Sequence, residues 1–171
     1  MEGQLILPFT FNTQLSLAVV FLPLLSFMTI VLWPTKSKKA ALVGTAFLSL
    51  SFLIALILFY NIWNQPPEHT RWIWFSLVES QFTAGIWLNN LSVLLLVLVT
   101  LVSVLVHLFS IEYMKDDKSF NRYFAFLGLF TFSMLGIVLA DNLLLIFVFW
   151  ELVGLSSYLL IGLYSRPIHL H

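Results

Sequence analysis

The stretch Leu143-Leu144-Leu145-Ile146-Phe147-Val148-Phe149-Trp150-Glu151-Leu152-Val153-Gly154-Leu155-Ser156-Ser157-Tyr158-Leu159-Leu160-Ile161-Gly162-Leu163 holds one formal charge, Glu151, near its midpoint. A run of this length matches one membrane crossing. A charge at the centre of such a span costs at least ~3 kcal/mol on insertion scales, and intramembrane acids usually sit in proton or ion pathways. The stretch therefore predicts a transmembrane helix and a carboxylate with a task.

The rest of the chain reads the same way. Of its 171 residues, 60% are hydrophobic and 9% charged, and the mean hydropathy is +0.98. A water-soluble fold of this length has too little interior to hide so much apolar surface, so the bilayer must act as solvent for much of it. The net charge of +0 gives no basic footprint for nucleic acid. The chain has no cysteine, which excludes disulfides and cysteine-ligated iron–sulfur or zinc centres. His69, His107, His169 and His171 lack metal-ligand spacing, and neither a metal nor a cofactor is expected here. Met1-Glu2-Gly3-Gln4 lacks the positive start of a signal peptide, which makes the first apolar run a retained span.

The expected fold is an all-α integral membrane protein with five transmembrane helices. In residues 1–64 these are Leu15–Trp33, stopped at Pro34, and Ala41–Trp63; in residues 91–171 they are Leu91–Ser110, Tyr123–Leu139 and Leu143–Leu163. Lys36, Lys38 and Lys39 fall between spans one and two, and Lys115, Lys118 and Arg122 between three and four. Arg166 follows span five, and Arg71 alone falls on the other side. Under the positive-inside rule the N-terminus is outside and the C-terminus inside, on the cytoplasmic face, as for a multi-pass membrane protein.

Residues 65–90 form an outer, periplasmic segment. Arg71-Trp72-Ile73-Trp74-Phe75-Ser76-Leu77 and Phe82-Thr83-Ala84-Gly85-Ile86-Trp87 flank Glu79-Ser80-Gln81. Two readings stand: a short β-hairpin lying on the outer surface, or an irregular loop whose Trp72, Trp74 and Trp87 form an interfacial aromatic belt.

Helical spacing puts Gly154, Leu155, Tyr158 and Gly162 on the face of Glu151. Small residues allow a neighbouring helix to approach closely, so this face is expected to be packed. Burial would then raise the carboxyl's affinity for a proton. The alternative is a permanently protonated acid that only joins two helices. Tyr158 adds a hydroxyl to the same face. His107, near the inner end of span three, is a relay candidate because histidine titrates near neutrality; bracing a helix end is the plain alternative. Its depth differs from that of Glu151 by roughly 13 Å at 1.5 Å per residue, too far for a direct pair. Ser133, Gly136 and Ala140 line a packing stripe, with Ser133 also a candidate for a water path. Asp141 is expected to be structural, as N-cap of the fifth helix in the Asp141-Asn142 turn. No lysine or arginine lies within a span to pair with Glu151.

The block Trp150-Glu151-Leu152-Val153-Gly154-Leu155-Ser156-Ser157-Tyr158-Leu159-Leu160-Ile161-Gly162 resembles the antiporter-like subunit L of bacterial NADH-quinone oxidoreductase, respiratory complex I, and its organellar counterparts. So do Ala140-Asp141-Asn142-Leu143, Leu88-Asn89-Asn90-Leu91-Ser92, Val106-His107-Leu108-Phe109-Ser110 and Arg122-Tyr123-Phe124-Ala125-Phe126. The likeness runs from about Trp72 to Pro167; residues 1–71 agree in hydropathy only. It implies that Glu151 is the family's proton-channel glutamate, paired with a lysine on a later helix, and that other membrane subunits are the partners. Family chains are several times longer, so a truncated or split subunit is expected, which by itself should not pump protons. The same superfamily includes the large subunit of multi-subunit sodium/proton antiporters and a bicarbonate-uptake partner. A non-functional membrane scaffold is the remaining alternative.

Overall fold

The computed structural model describes residues 10–33, 38–77 and 80–164. The expectations resting on Pro34, Lys36, Glu79, Arg166 and residues 167–171 lie outside them. Five helices and one hairpin follow in chain order: α1 (Phe11–Val31), α2 (Lys38–Ile62), β1 (Glu68–Leu77), β2 (Ser80–Leu88), α3 (Asn90–Tyr113), α4 (Phe120–Leu139) and α5 (Leu143–Tyr164). All five helices are long and apolar enough to cross a membrane, and the segment between α2 and α3 is the antiparallel hairpin rather than an irregular loop.

Capping chemistry moves several boundaries from their expected places. α1 starts at Phe11 rather than Leu15 because the Thr10 side chain accepts the Thr13 N–H at 3.1 Å, which satisfies an otherwise orphaned donor. α3 opens on a reciprocal capping box between Asn89 and Ser92 and continues past Ser110 to Tyr113. α2 is followed by Asn64 at φ 62°, a left-handed position that asparagine tolerates better than most residues; its N–H donates to Asn90 Oδ1 at 3.2 Å.

α1 contains Pro23. Proline has no N–H, so the carbonyl of Val19, one turn back, loses its helical donor. Ser51 of α2 donates to that carbonyl at 2.7 Å. The pairing matters in a bilayer, where no water reaches a stranded carbonyl.

α1 packs against α2 and α4, and α3 against the same two helices, so the first four helices close a ring; α5 packs mainly on α4. Two apolar clusters fill the ring. At the hairpin end Val19, Ala55, Leu58, Leu88, Val93, Leu96 and Leu135 come together. At the other end Ile30, Ala41, Met114, Phe120, Phe124 and Ala125 do so. The buried hydroxyls of Thr45, Thr100 and Thr131 are satisfied by carbonyls one turn back on their own helices.

The hairpin lies across the start of α1 and the α4–α5 turn. Its inward positions Thr70, Ala84, Ile86 and Leu88 are buried. Glu68 accepts from Thr10 Oγ1 at 2.8 Å and from Asn12 Nδ2 at 2.6 Å, and Thr70 shares a 2.8 Å hydrogen bond with Thr13. The register slips between Ile73 and Phe75, a bulge at Trp74, which with Trp87 is half exposed. Lys38, Lys39, Lys115, Lys118 and Arg122 lie at or beyond the opposite helix ends, away from Arg71.

Candidate functional site

Glu151 sits in the middle of α5 with its side chain exposed on the surface of the described chain. Gly154 shares that outward face, and a Cβ added to it or to Gly162 would meet nothing within 4 Å. Tyr158 is 73% exposed and Trp150 66%. The packed face expected around Glu151 is therefore not supplied by the described helices. In a bilayer it meets lipid or a further helix. No lysine or arginine among the described residues pairs with Glu151.

The other side of α5 is packed. Gly136 of α4 lies so close to the ring of Phe149 that any Cβ there would collide with it, and Phe149 also meets Phe132 edge-on with centroids 5.6 Å apart. The small-residue stripe on α4 is thus the seat of α5. Ser133 is fully buried, with its hydroxyl donating to the Leu129 carbonyl at 2.8 Å.

His107 is fully buried inside the ring. Its Nδ1 lies 2.9 Å from the Ser103 carbonyl, which fixes that nitrogen as the donor, and its ring meets Phe124 edge-on at 5.6 Å. Nε2 is buried and has no hydrogen-bond partner among the described residues. Ser103 in turn hydrogen-bonds Thr131 of α4. His107 is enclosed by the ring and Ser133 lies on the α4 stripe that seats α5, whereas Glu151 and Tyr158 lie on the far side of α5. The described structure does not bring these two sets together.

Asp141 departs most from expectation. The cap of α5 is Asn142, whose Oδ1 accepts the Leu145 N–H at 2.9 Å. Asp141 does something else. Ala140 forms an isolated antiparallel bridge with Ile86, so the α4–α5 turn adds a third, very short strand to the free edge of β2. Continuing that register sets Asp141 across from Gly85, whose partner on β1 is Arg71. Gly85 has no side chain, and a Cβ there would run into the Asp141 carboxylate. Asp141 reaches over it and accepts from Arg71 Nε at 2.9 Å, with His69 Nε2 at 3.0 Å and Asn142 Nδ2 at 2.7 Å from its oxygens. Asn142 Nδ2 also donates to the Thr83 carbonyl at 2.9 Å. The Asp141 side chain is 0% exposed. Burial pushes its carboxyl up, but the hydrogen bonds from His69, Arg71 and Asn142 with the charge of Arg71 outweigh that and hold it below the ordinary 3.8.

The partners His69, Arg71 and Gly85 were not singled out by the sequence. The available signal was strand arithmetic: His69 and Arg71, two apart on a strand, share a face, and Gly85 inside a strand signals close approach.

Residues 74–124, from β1 into α4, match a family model described as NADH-Ubiquinone oxidoreductase (complex I), chain 5 N-terminus. The chain is 40% identical over 158 residues to NADH-quinone oxidoreductase subunit L of Rickettsia bellii, with 90% of this chain and 25% of the relative covered. It is 40% identical over 146 residues to the chloroplastic NAD(P)H-quinone oxidoreductase subunit 5 of Physcomitrium patens, with 82% and 20% covered. The Mesostigma viride counterpart is 42% identical over 125 residues, with 71% and 19% covered. A stretch covering 90% of this chain takes in Glu151 and reaches into α1, well beyond the Trp72–Pro167 range on which the resemblance was read. The chain spans about a fifth to a quarter of the length of the curated relatives it matches. By these matches it belongs with the N-terminal region of the antiporter-like membrane subunits of complex I.

Proposed function

We propose that the chain is the N-terminal part of a proton-translocating membrane subunit of NADH-quinone oxidoreductase, with Glu151 as a proton-carrying group. The observation that carries this reading is the position of Glu151: mid-span on α5, on a face that α1–α4 leave uncovered. A mid-membrane carboxylate is costly unless a partner or water meets it, so a further helix of the assembly supplies its counter-charge, in this reading a lysine. Tyr158 lies along the same face and flanks the path. His107, with one ring nitrogen unsatisfied among the described residues, belongs to a second polar region inside the ring, and Ser133 lies beneath α5 on the α4 stripe.

In this reading the lysine-rich helix ends face the inside of the bacterial inner membrane and the hairpin faces outside, as the segregation of Lys38, Lys39, Lys115, Lys118 and Arg122 from Arg71 supports. Redox centres belong to other subunits, and the membrane partners are those of the same complex. The family model and the relatives cited above are named for quinone oxidoreductases, which favours that assembly over a sodium/proton antiporter.

The test is Glu151→Gln in the assembled oxidoreductase, reading proton uptake and quinone reduction together. Proton transport should fall while the protein still assembles. Transport at the unsubstituted level would leave a scaffold role only.

A further inference from the structure

The outer hairpin and the proton-bearing helix meet at one cluster. Asp141 lies one residue before the cap of α5 and passes over Gly85 to reach Arg71 and His69 on the far strand. Asn142 binds both the first turn of α5 and the Thr83 carbonyl of β2. The hairpin is itself tied to α1 through Glu68 and Thr70, and Asn61 of α2 reaches Asn12 at 3.2 Å. The outer end of α5 is therefore fixed to the ring through the hairpin, by contacts separate from the Gly136–Phe149 seat.

We propose that Asp141 is a positioning residue, a clasp by which the outer hairpin sets the tilt and axial register of α5 and hence the placement of Glu151. The inference rests on the reading of Glu151 as a proton carrier for its functional consequence, but not for its geometry. Four details fit a clasp better than a passive turn. The carboxylate is fully buried, although a turn residue at a membrane surface would ordinarily face water. Two donors come from positions about 70 residues away in the chain. Gly85 leaves room for this one side chain. The helix cap is provided by the neighbouring Asn142, which frees Asp141 for the longer reach.

The chain has no cysteine, so spin labels can be placed singly. Labels at Leu155 on α5 and Tyr60 on α2, both exposed, report the placement of α5 against the ring for the 171-residue chain in lipid nanodiscs. Asp141→Asn and Gly85→Ala should each shift the mean distance by at least one residue's rise, ~1.5 Å, or double its width, well below the temperature at which the protein unfolds. Asp141→Glu should not restore the native distance, because the longer side chain has no space over Gly85. If Asp141→Asn fails to insert, the pair His69→Gln and Arg71→Gln removes the donors without touching α5 and should give the same shift.

In the assembled complex these variants should lower protons moved per electron while quinone reduction persists. A loss of stability alone would reduce both in proportion to the amount of protein. Unchanged distances in the variants that fold would overturn the clasp even if Glu151→Gln abolishes transport. A clear shift with Glu151→Gln still transporting at the unsubstituted level would keep the clasp and remove the proton reading.

Discussion

Ser51 Oγ donates to the Val19 carbonyl at 2.7 Å, the backbone oxygen that Pro23 deprives of its helical partner. Removing the hydroxyl leaves that carbonyl buried and unpaired in an apolar surround. Ser51→Ala should destabilise the α1–α2 pair by about 1 kcal/mol, the scale of interhelical hydrogen bonds in membranes and of a stranded buried acceptor. Pro23→Ala restores the helical N–H, so in that background the Ser51→Ala penalty should shrink by more than half. Thermal unfolding in detergent, run as a double-mutant cycle, measures it.

Gly136 and the Phe149 ring are in a contact that tolerates no added carbon. Gly136→Ala should cost about 1–3 kcal/mol as an overpacking substitution. The partner change Phe149→Leu should relieve part of that cost. A strictly additive double mutant would show that the α4–α5 contact is not direct. With the other five tryptophans of the chain replaced by phenylalanine, fluorescence of Trp150, next to Phe149, reads α5 detachment locally beside the global unfolding curve.

The pH response of the clasp has a definite sign. The Asp141 carboxyl titrates below its ordinary 3.8 in the folded protein, so its contribution is fully present above the unfolded value and is lost as pH falls through the folded one. His69 and Arg71 face it from β1 and Asn142 from its own turn, while Glu68 points to the opposite face of the hairpin toward Thr10 and Asn12. The stability difference between the native chain and Asp141→Asn should therefore stay level from pH 7 down to about 5 and narrow only below ~4. A difference that vanished between pH 6 and 7 would mean that Asp141 is not the titrating partner.

The five spans could be read from hydropathy length, and the aromatic runs around the polar Glu79-Ser80-Gln81 interruption gave the hairpin as one of two readings, because these are local properties. The mid-span position of Glu151 on α5 was legible for the same reason: one carboxylate in a long apolar run stands out without knowing its neighbours. Asp141 was misread because aspartate and asparagine are equally good caps, and adjacent caps leave the choice to tertiary contacts with β1, far away in the chain. The Ser51–Val19 pairing was not read from the sequence: a proline inside a span implies an orphaned carbonyl one turn back but does not name the donor that a neighbouring helix brings to it. The face around Gly154 and Gly162 was read as packed from small residues alone. That pattern says a helix can approach, not that this chain brings one.

α1–α4 close on themselves, whereas α5 leans chiefly on α4 and is pinned at its outer tip. In mechanical terms the ring is a frame and α5 a lever with its pivot at Asp141. Glu151 lies eight residues along from Leu143, where α5 begins beside the pivot, a helical arm of about 12 Å at 1.5 Å per residue. A tilt of roughly 10° would carry its carboxylate sideways by ~2 Å over that arm, enough to make or break a hydrogen bond. The same tilt would move the tip almost nowhere. A small change at the hairpin is therefore magnified at the membrane centre, and a change at the lysine-rich end need not be felt at the hairpin at all.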